Sequence, residues 1–191
     1  MNHTSCADFL EFFGYFHGYV VSEDGDSLNL VYSLLDASPI SKIHAFKDLG
    51  NDLFRQNQFV EASACYDKAC RLLSDVLKDV SDLDLNSLSS LAISLSLNLA
   101  ASAIKLRAFD GALILCSMVL NFYPHHAKTL FRKAVALRSL NKLSEARCTF
   151  EEAVSVEPQN NDILRELDEV RKLHVFNLNG KRVVDDSFKA N

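Results

Sequence analysis

Two runs of apolar and small residues, separated by a short polar break, recur along this chain at a fixed interval. That recurrence limits the fold more than any single residue does. In residues 127–158, Leu130, Ala134 and Leu137, then Ala146, Phe150 and Ala153, stand at helical spacing. The break between them, from Leu140 to Ser144, reads as a tight turn between two helices. Ala134, Ala146 and Ala153 are small where the helices would cross, and Pro158 stops the second one. Thirty-four residues earlier, Ala100, Ala112, Cys116 and Pro124 occupy the corresponding places, with Val119 where a small residue is expected. A further copy begins at Ile43 and carries Phe46, Leu49, Gly50, Leu53, Ala62, Tyr66 and Ala69. It lies 50 residues before the next copy, so 16 are inserted. One such hairpin cannot bury its own apolar face, and stacking with its neighbours is the solution.

The spacing, the small crossing positions and the terminal prolines resemble the tetratricopeptide repeat. The fold implied is all-α: a right-handed superhelical solenoid of three helix-turn-helix repeats, with a C-terminal capping helix and an N-terminal helical hairpin. The repeats would occupy 41–158, as about 43–92 with the insert, 93–126 and 127–158. Leu and Val spacing in the insert suggests that the second helix of the first repeat runs on and that a polar loop then closes it. Residues 159–176 place Ile163, Leu167, Val170 and Leu173 on one side and Arg165, Glu166, Asp168, Glu169 and Lys172 on the other, with Asn160 or Asn161 as cap. That is the pattern of a capping helix. Residues 177–191 lack helical period and contain an Asn-Gly turn signal, so a flexible tail is expected.

Residues 1–40 precede the repeats. Phe9, Phe12, Phe13 and Phe16 share one face of an amphipathic helix, with Tyr15 and Tyr19 nearby. The segment from Ser22 to Ser27 reads as a loop, and a second short helix follows with Ser27 as cap. Pro39 separates this hairpin from the array. The aromatic face either caps the open edge of the first repeat or docks a partner, with a homodimer through residues 9–20 as one outcome.

Bulk properties narrow the function classes. Hydrophobic content of 48% with 24% charged residues is ordinary for a folded domain. A net charge of -5 argues against general nucleic-acid binding. Cys6, Cys65, Cys70, Cys116 and Cys148 form no CxxC pair and read as free thiols in a reducing compartment. His125 and His126 are adjacent and point apart, so no metal site and no cofactor is expected. No signal peptide and no apolar span of about 20 residues is read, which points to the cytoplasm or nucleus and to no membrane role. No phosphate loop or nucleophile-base register is present, and the pairs Glu151-Glu152 and Asp185-Asp186 are poorly placed for acid-base work. An enzyme is not expected.

Polar residues on the first helix of each repeat carry the functional reading. Lys47 and Asn51 are four apart, Asn98 is on the next first helix, and Lys128 and Arg132 are again four apart. Three cations and two amides suit a ligand with closely spaced carboxylates. This set resembles the two-carboxylate clamp of co-chaperone tetratricopeptide domains. The insert and the runs FKDLGNDLF and SLSLNLAASAIKL are most similar to the large immunophilins and their relatives. The resemblance implies binding of the C-terminal Glu-Glu-Val-Asp tail of Hsp90 or Hsp70. Lys47, Asn51 and Asn98 would hold the terminal carboxylate, and Lys128 and Arg132 the last aspartate and adjacent backbone. Phe54 and Ala101 would form the apolar wall for the valine. The role implied is an adaptor that brings an unidentified client to the chaperone. The alternative is a scaffold that binds another helix or self-associates through its N-terminal hairpin. Residues 1–40 are too short and too helical for an isomerase domain.

Overall fold

A computed structural model describes residues 6–18, 38–78 and 85–189, with side chains for 7–13, 38–78 and 85–177. All regular elements among the described residues are α-helices: α1 (Cys6–Gly18), α2 (Pro39–Arg55), α3 (Phe59–Lys78), α4 (Leu85–Lys105), α5 (Phe109–Phe122), α6 (Ala127–Ser139), α7 (Leu143–Val156) and α8 (Asn161–Lys189). They fall into two compact units, Met1–Arg107 and Ala108–Asn191. The division passes through the turn of the second repeat.

In the first unit α2 packs along α3, and α3 along α4. Ser38 caps α2, its Oγ accepting from the Ser41 amide at 3.2 Å. Pro39 follows in the first turn, where the missing N–H is not needed. Pro39 therefore opens the first repeat helix. The insertion is taken up largely as helix. α3 spans 20 residues and α4 spans 21, against 14 for α5 and for α7. The extension of α3 matches the sequence reading. The start of α4 does not, because it lies eight residues before Ile93. The reason is that Leu88, Leu91, Ala92 and Leu95 are all buried at helical spacing, so the apolar stripe begins well ahead of the repeat.

α1 rests on α3 and α4, the two helices that the insertion lengthens. Phe9 and Phe13 are fully buried, with ring centroids 6.2 Å apart, and Leu10 is buried beside them. The described part of the 9–20 face is thus largely spent inside its own unit, as a cap over the first repeat would be; the side chains of residues 14–20 lie outside the described ones. Only Phe12, 40% exposed, stands out from it. The 22–27 loop and the helix after it lie outside the described residues. α4 also corrects a second reading. By length and composition it is apolar enough to cross a membrane, and 56% of its most apolar window is buried inside the protein. It is apolar because α1 and α3 both cover it.

In the second unit α5 to α8 pack in succession. Leu130, Ala134 and Leu137 of α6 meet Ala146, Phe150 and Ala153 of α7 and Ile163, Leu167 and Val170 of α8 in one core. Ion pairs tie the outer faces together: Arg138 with Glu166 at 2.9 Å and Glu169 at 3.1 Å, and Arg171 with Glu151 at 2.9 Å. Asn160 caps α8, its Oδ1 accepting from the Asp162 amide at 3.1 Å. The helix then continues to Lys189, where the sequence reading ended it at 176 and expected a flexible tail. Contacts beyond the core hold it on course. His174 Nε2 is 3.2 Å from Ser144 Oγ, and Asn177 Nδ2 donates to Asn141 Oδ1 at 3.4 Å. No proline interrupts residues 161–189, and Gly180 costs a helix only about 1 kcal/mol.

Each repeat turn contains one residue in the left-handed region: Asn57 (φ 62°), Arg107 (φ 62°) and Asn141 (φ 58°). Their separations, 50 and 34 residues, are those of the repeats themselves. In the first and third turns the chain closes the helix end with a long-span amide bond. Gln58 N donates to Leu53 O at 3.0 Å, and Lys142 N donates to Leu137 O at 2.9 Å.

Candidate functional site

In the first unit α2 carries Lys47 and Asn51 one turn apart, and α4 carries Asn98. Asn98 Nδ2 donates to Asn51 Oδ1 at 3.0 Å. The same oxygen accepts from the Tyr66 hydroxyl at 2.9 Å. With its carbonyl oxygen engaged twice, Asn51 is left with the N–H groups of its amide as donors. Asn98 keeps a second N–H in the same way. Tyr66 reaches Asn51 because its ring lies directly on Gly50. A Cβ at position 50 would stand 2.6 Å from Tyr66 Cε1, inside any allowed contact. Glycine at this crossing is therefore a seat for the tyrosine that orients the amide pair.

Lys47 is half-buried at a cavity of about 540 Å3, lined across from it by Ser87, Ser90 and Ser94 of α4. His44 of α2 shares that cavity. His44, Lys47 and Asn51 follow one stripe of α2, so the cavity continues the line of the amide bridge. Phe54, three residues beyond Asn51, packs edge-on against Phe59 with centroids 5.1 Å apart. Ala101, three residues beyond Asn98, is half-buried on α4.

In the second unit Lys128 and Arg132 line a smaller cavity of about 210 Å3. Phe131 and Ile163 add apolar lining, and Glu157, Asn160 and Asp162 add carboxylates and an amide. Phe131 is fixed edge-on to the buried Phe150, with centroids 5.8 Å apart. Among the described residues Lys128 forms no ion pair. At the start of α6, His126 Nδ1 is 2.8 Å from Thr129 Oγ1. Burial holds the His126 pKa below its ordinary value, Lys128 and Arg132 lower it further, and Glu157 opposes them. Cys116, buried nearby, is pushed up to about 12 by desolvation against the opposing pull of Arg132 and Lys133. It remains a protonated thiol at neutral pH. Cys65 and Cys70 are also buried free thiols, while Cys148 is exposed.

Of the residues singled out in the sequence, the structure joins Asn51 to Asn98 and places Lys128 and Arg132 in one cavity. Lys47, Asn51 and Asn98 belong to the first unit, and Lys128 and Arg132 to the second. Tyr66 and the acidic wall of Glu157 and Asp162 went unread. Tyr66 had only its repeat position to mark it. The acidic wall comes from a turn, where carboxylates ordinarily signal nothing more than solvent.

No protein-family model matches the sequence. Over 122 residues the chain is 31% identical to peptidyl-prolyl cis-trans isomerase FKBP42 of Arabidopsis thaliana, covering 62% of this chain and 33% of that protein. Over 129 residues it is 25% identical to isomerase FKBP4 of Mus musculus, covering 68% of this chain and 28% of the relative. The chain thus spans about a third or less of these curated relatives. Among solved structures it is similar to the Hsp90 co-chaperone Cns1 of Saccharomyces cerevisiae, with TM-score 0.65 and 25% identity over 81% of this chain and 46% of that one. It is similar to the first TPR of Spaghetti (RPAP3) bound to the HSP90 peptide SRMEEVD, with TM-score 0.57 and 24% identity over 71% and 94% of the two chains. The second TPR domain of human RPAP3, in complex with the HSP70 peptide SGPTIEEVD, gives TM-score 0.55 and 22% identity over 70% and 98%. The fold is that of tetratricopeptide-repeat domains.

Proposed function

We propose that this chain is a chaperone adaptor that captures the free C-terminus of an acidic Hsp90- or Hsp70-type tail. The observation that carries the reading is the Asn51–Asn98 bond. Two amides, 47 residues apart in sequence, are held together with the N–H groups of Asn51 and the second N–H of Asn98 left over for a carboxylate. Lys47 adds charge beside them, and Lys128 and Arg132 supply two more cations for the remaining carboxylates. Phe54 and Ala101 offer apolar surface to the valine. The peptides bound to two structural neighbours, both ending in Glu-Glu-Val-Asp, support the same ligand class. We carry over an adaptor role and not the isomerase activity of the relatives' names, since the chain spans only a minor share of those proteins. What the adaptor brings to the chaperone is set elsewhere than in these five residues.

Calorimetric titration with a peptide ending Met-Glu-Glu-Val-Asp tests the proposal. Micromolar affinity is expected, lost when the peptide is amidated and weakened at least tenfold by Arg132→Ala. Affinity should also fall between low and physiological salt, because three exposed or half-exposed cations carry it. Equal affinity for the free and amidated peptide would favour a scaffold that binds an internal helix.

A further inference from the structure

The cavity in the second unit is not simply basic. Lys128 and Arg132 share its lining with Glu157 and Asp162 and with the apolar side chains of Phe131 and Ile163. Both carboxylates are anchored. Glu157 Oε2 accepts from Asn160 Nδ2 at 2.7 Å, and Asp162 Oδ1 accepts from Arg165 Nη2 at 3.1 Å. Each carboxylate keeps further acceptor sites, since a carboxylate offers about four. Asn160 is itself fixed by accepting the Asp162 amide, so the acidic wall is set by the cap of α8. A wall of this sign repels a uniformly acidic ligand and rewards one whose charge changes sign over a short distance.

We propose that Glu157 and Asp162 make this site selective for an acidic tail that carries a cation just upstream of its carboxylates. The inference rests on the adaptor reading and names the preferred ligand within it. Of the two peptides seen on structural neighbours, SRMEEVD has this pattern and SGPTIEEVD does not. In SRMEEVD the arginine and the nearer glutamate are two residues apart, about 7 Å of extended chain. Lys128 and Arg132 would hold the acidic end of the tail while the upstream guanidinium meets the carboxylates of Glu157 and Asp162. Arginine is suited to this because its planar fork pairs with carboxylates through two bonds. Glu157 and Asp162 are exposed, so the preference is modest, about three- to fivefold in Kd.

The test titrates SRMEEVD, SAMEEVD and SGPTIEEVD against the native chain and against a Glu157→Gln/Asp162→Asn double variant, with circular dichroism to confirm that the variant is folded. The expected result is that SRMEEVD binds the native chain at least threefold tighter than SAMEEVD and that the double variant binds both equally. Equal affinities on the native chain would overturn the inference while leaving the adaptor reading in place, and this arm needs no variant. A preference that survives in the folded variant would overturn it as well, because the arginine would then be read elsewhere. If none of the three peptides binds, the adaptor reading fails and takes this inference with it.

Discussion

The two units present polar groups to a ligand by different physical means. In the first, the working groups are neutral amides whose direction is set by packing: Gly50 admits the Tyr66 ring, Tyr66 holds Asn51, and Asn51 holds Asn98. In the second, the working groups of the cavity are charges, Lys128 and Arg132 together with Glu157 and Asp162. An amide that points the wrong way offers a carbonyl oxygen to a carboxylate, which repels it. A lysine has no wrong way to point. Preorganisation is therefore needed where the donors are amides and is dispensable where they are cations.

That contrast can be broken most forcefully at Tyr66. Tyr66→Ala should destabilise the chain by about 3–5 kcal/mol in chemical denaturation, since a fully packed ring is lost. Tyr66→Phe keeps the ring and removes the hydrogen bond, so about 1 kcal/mol is expected, visible in peptide affinity more than in stability. A Phe variant that binds peptide as well as the native chain would show that Asn51 needs no orienting partner. At Gly50 an added methyl gains about 1 kcal/mol of helix propensity and meets a clash costing about 1–3 kcal/mol. The net expectation for Gly50→Ala is a loss of about 1 kcal/mol in unfolding free energy by chemical denaturation, with weakened peptide binding. Ala134 occupies the same repeat place in the second unit and already carries that methyl. A neutral Gly50→Ala would mean that Tyr66 can withdraw freely.

A smaller effect sharpens the second unit. The His126 pKa lies below its ordinary value, so between that depressed value and about 6.5 the unfolded chain binds more protons than the folded one. Its contribution to stability is present above about pH 6.5 and fades as pH falls below it. The drop in melting temperature from pH 7.5 to 5.5 should therefore be smaller in His126→Asn, which removes the titrating ring. An unchanged drop would assign the acid sensitivity to other groups. In the second repeat's turn, Arg107→Gly should stabilise by about 0.5–1 kcal/mol, because glycine accepts φ 62° without Cβ strain. The same change at Asn57 or Asn141 should give less, since asparagine already tolerates the left-handed region.

Much of the architecture was legible because repeats declare themselves by period. Leu130, Ala134, Phe150 and their counterparts stand where stacked hairpins need them, and the apolar stripe of Ile163, Leu167 and Val170 marks α8 as a packed helix. The ends of helices were less legible. Asn179-Gly180 is a turn signal in an isolated chain, but a helix already docked through His174 and Asn177 carries through it. Leu85 to Ala92 were assigned to the insert, because nothing local distinguishes a lengthened helix from a loop that happens to contain leucines. At the site, residue types were readable and their partners were not. Tyr66 is fifteen residues from Asn51 in sequence, and the acidic wall comes from a turn. Such contacts appear only once the hairpin has closed.

The left-handed turn residues have a consequence for how quickly this chain finds its fold. Asn57 and Asn141 each close a hairpin whose helices, α2 with α3 and α6 with α7, are neighbours in sequence as well as in space. Loop closure over so few residues forfeits little chain entropy, and chains built from local contacts fold in the microsecond to millisecond range. Both hairpins can therefore act as independent nuclei from which structure spreads. Arg107 lacks the local preference of the two asparagines, so its turn is the one most dependent on neighbours that have already formed.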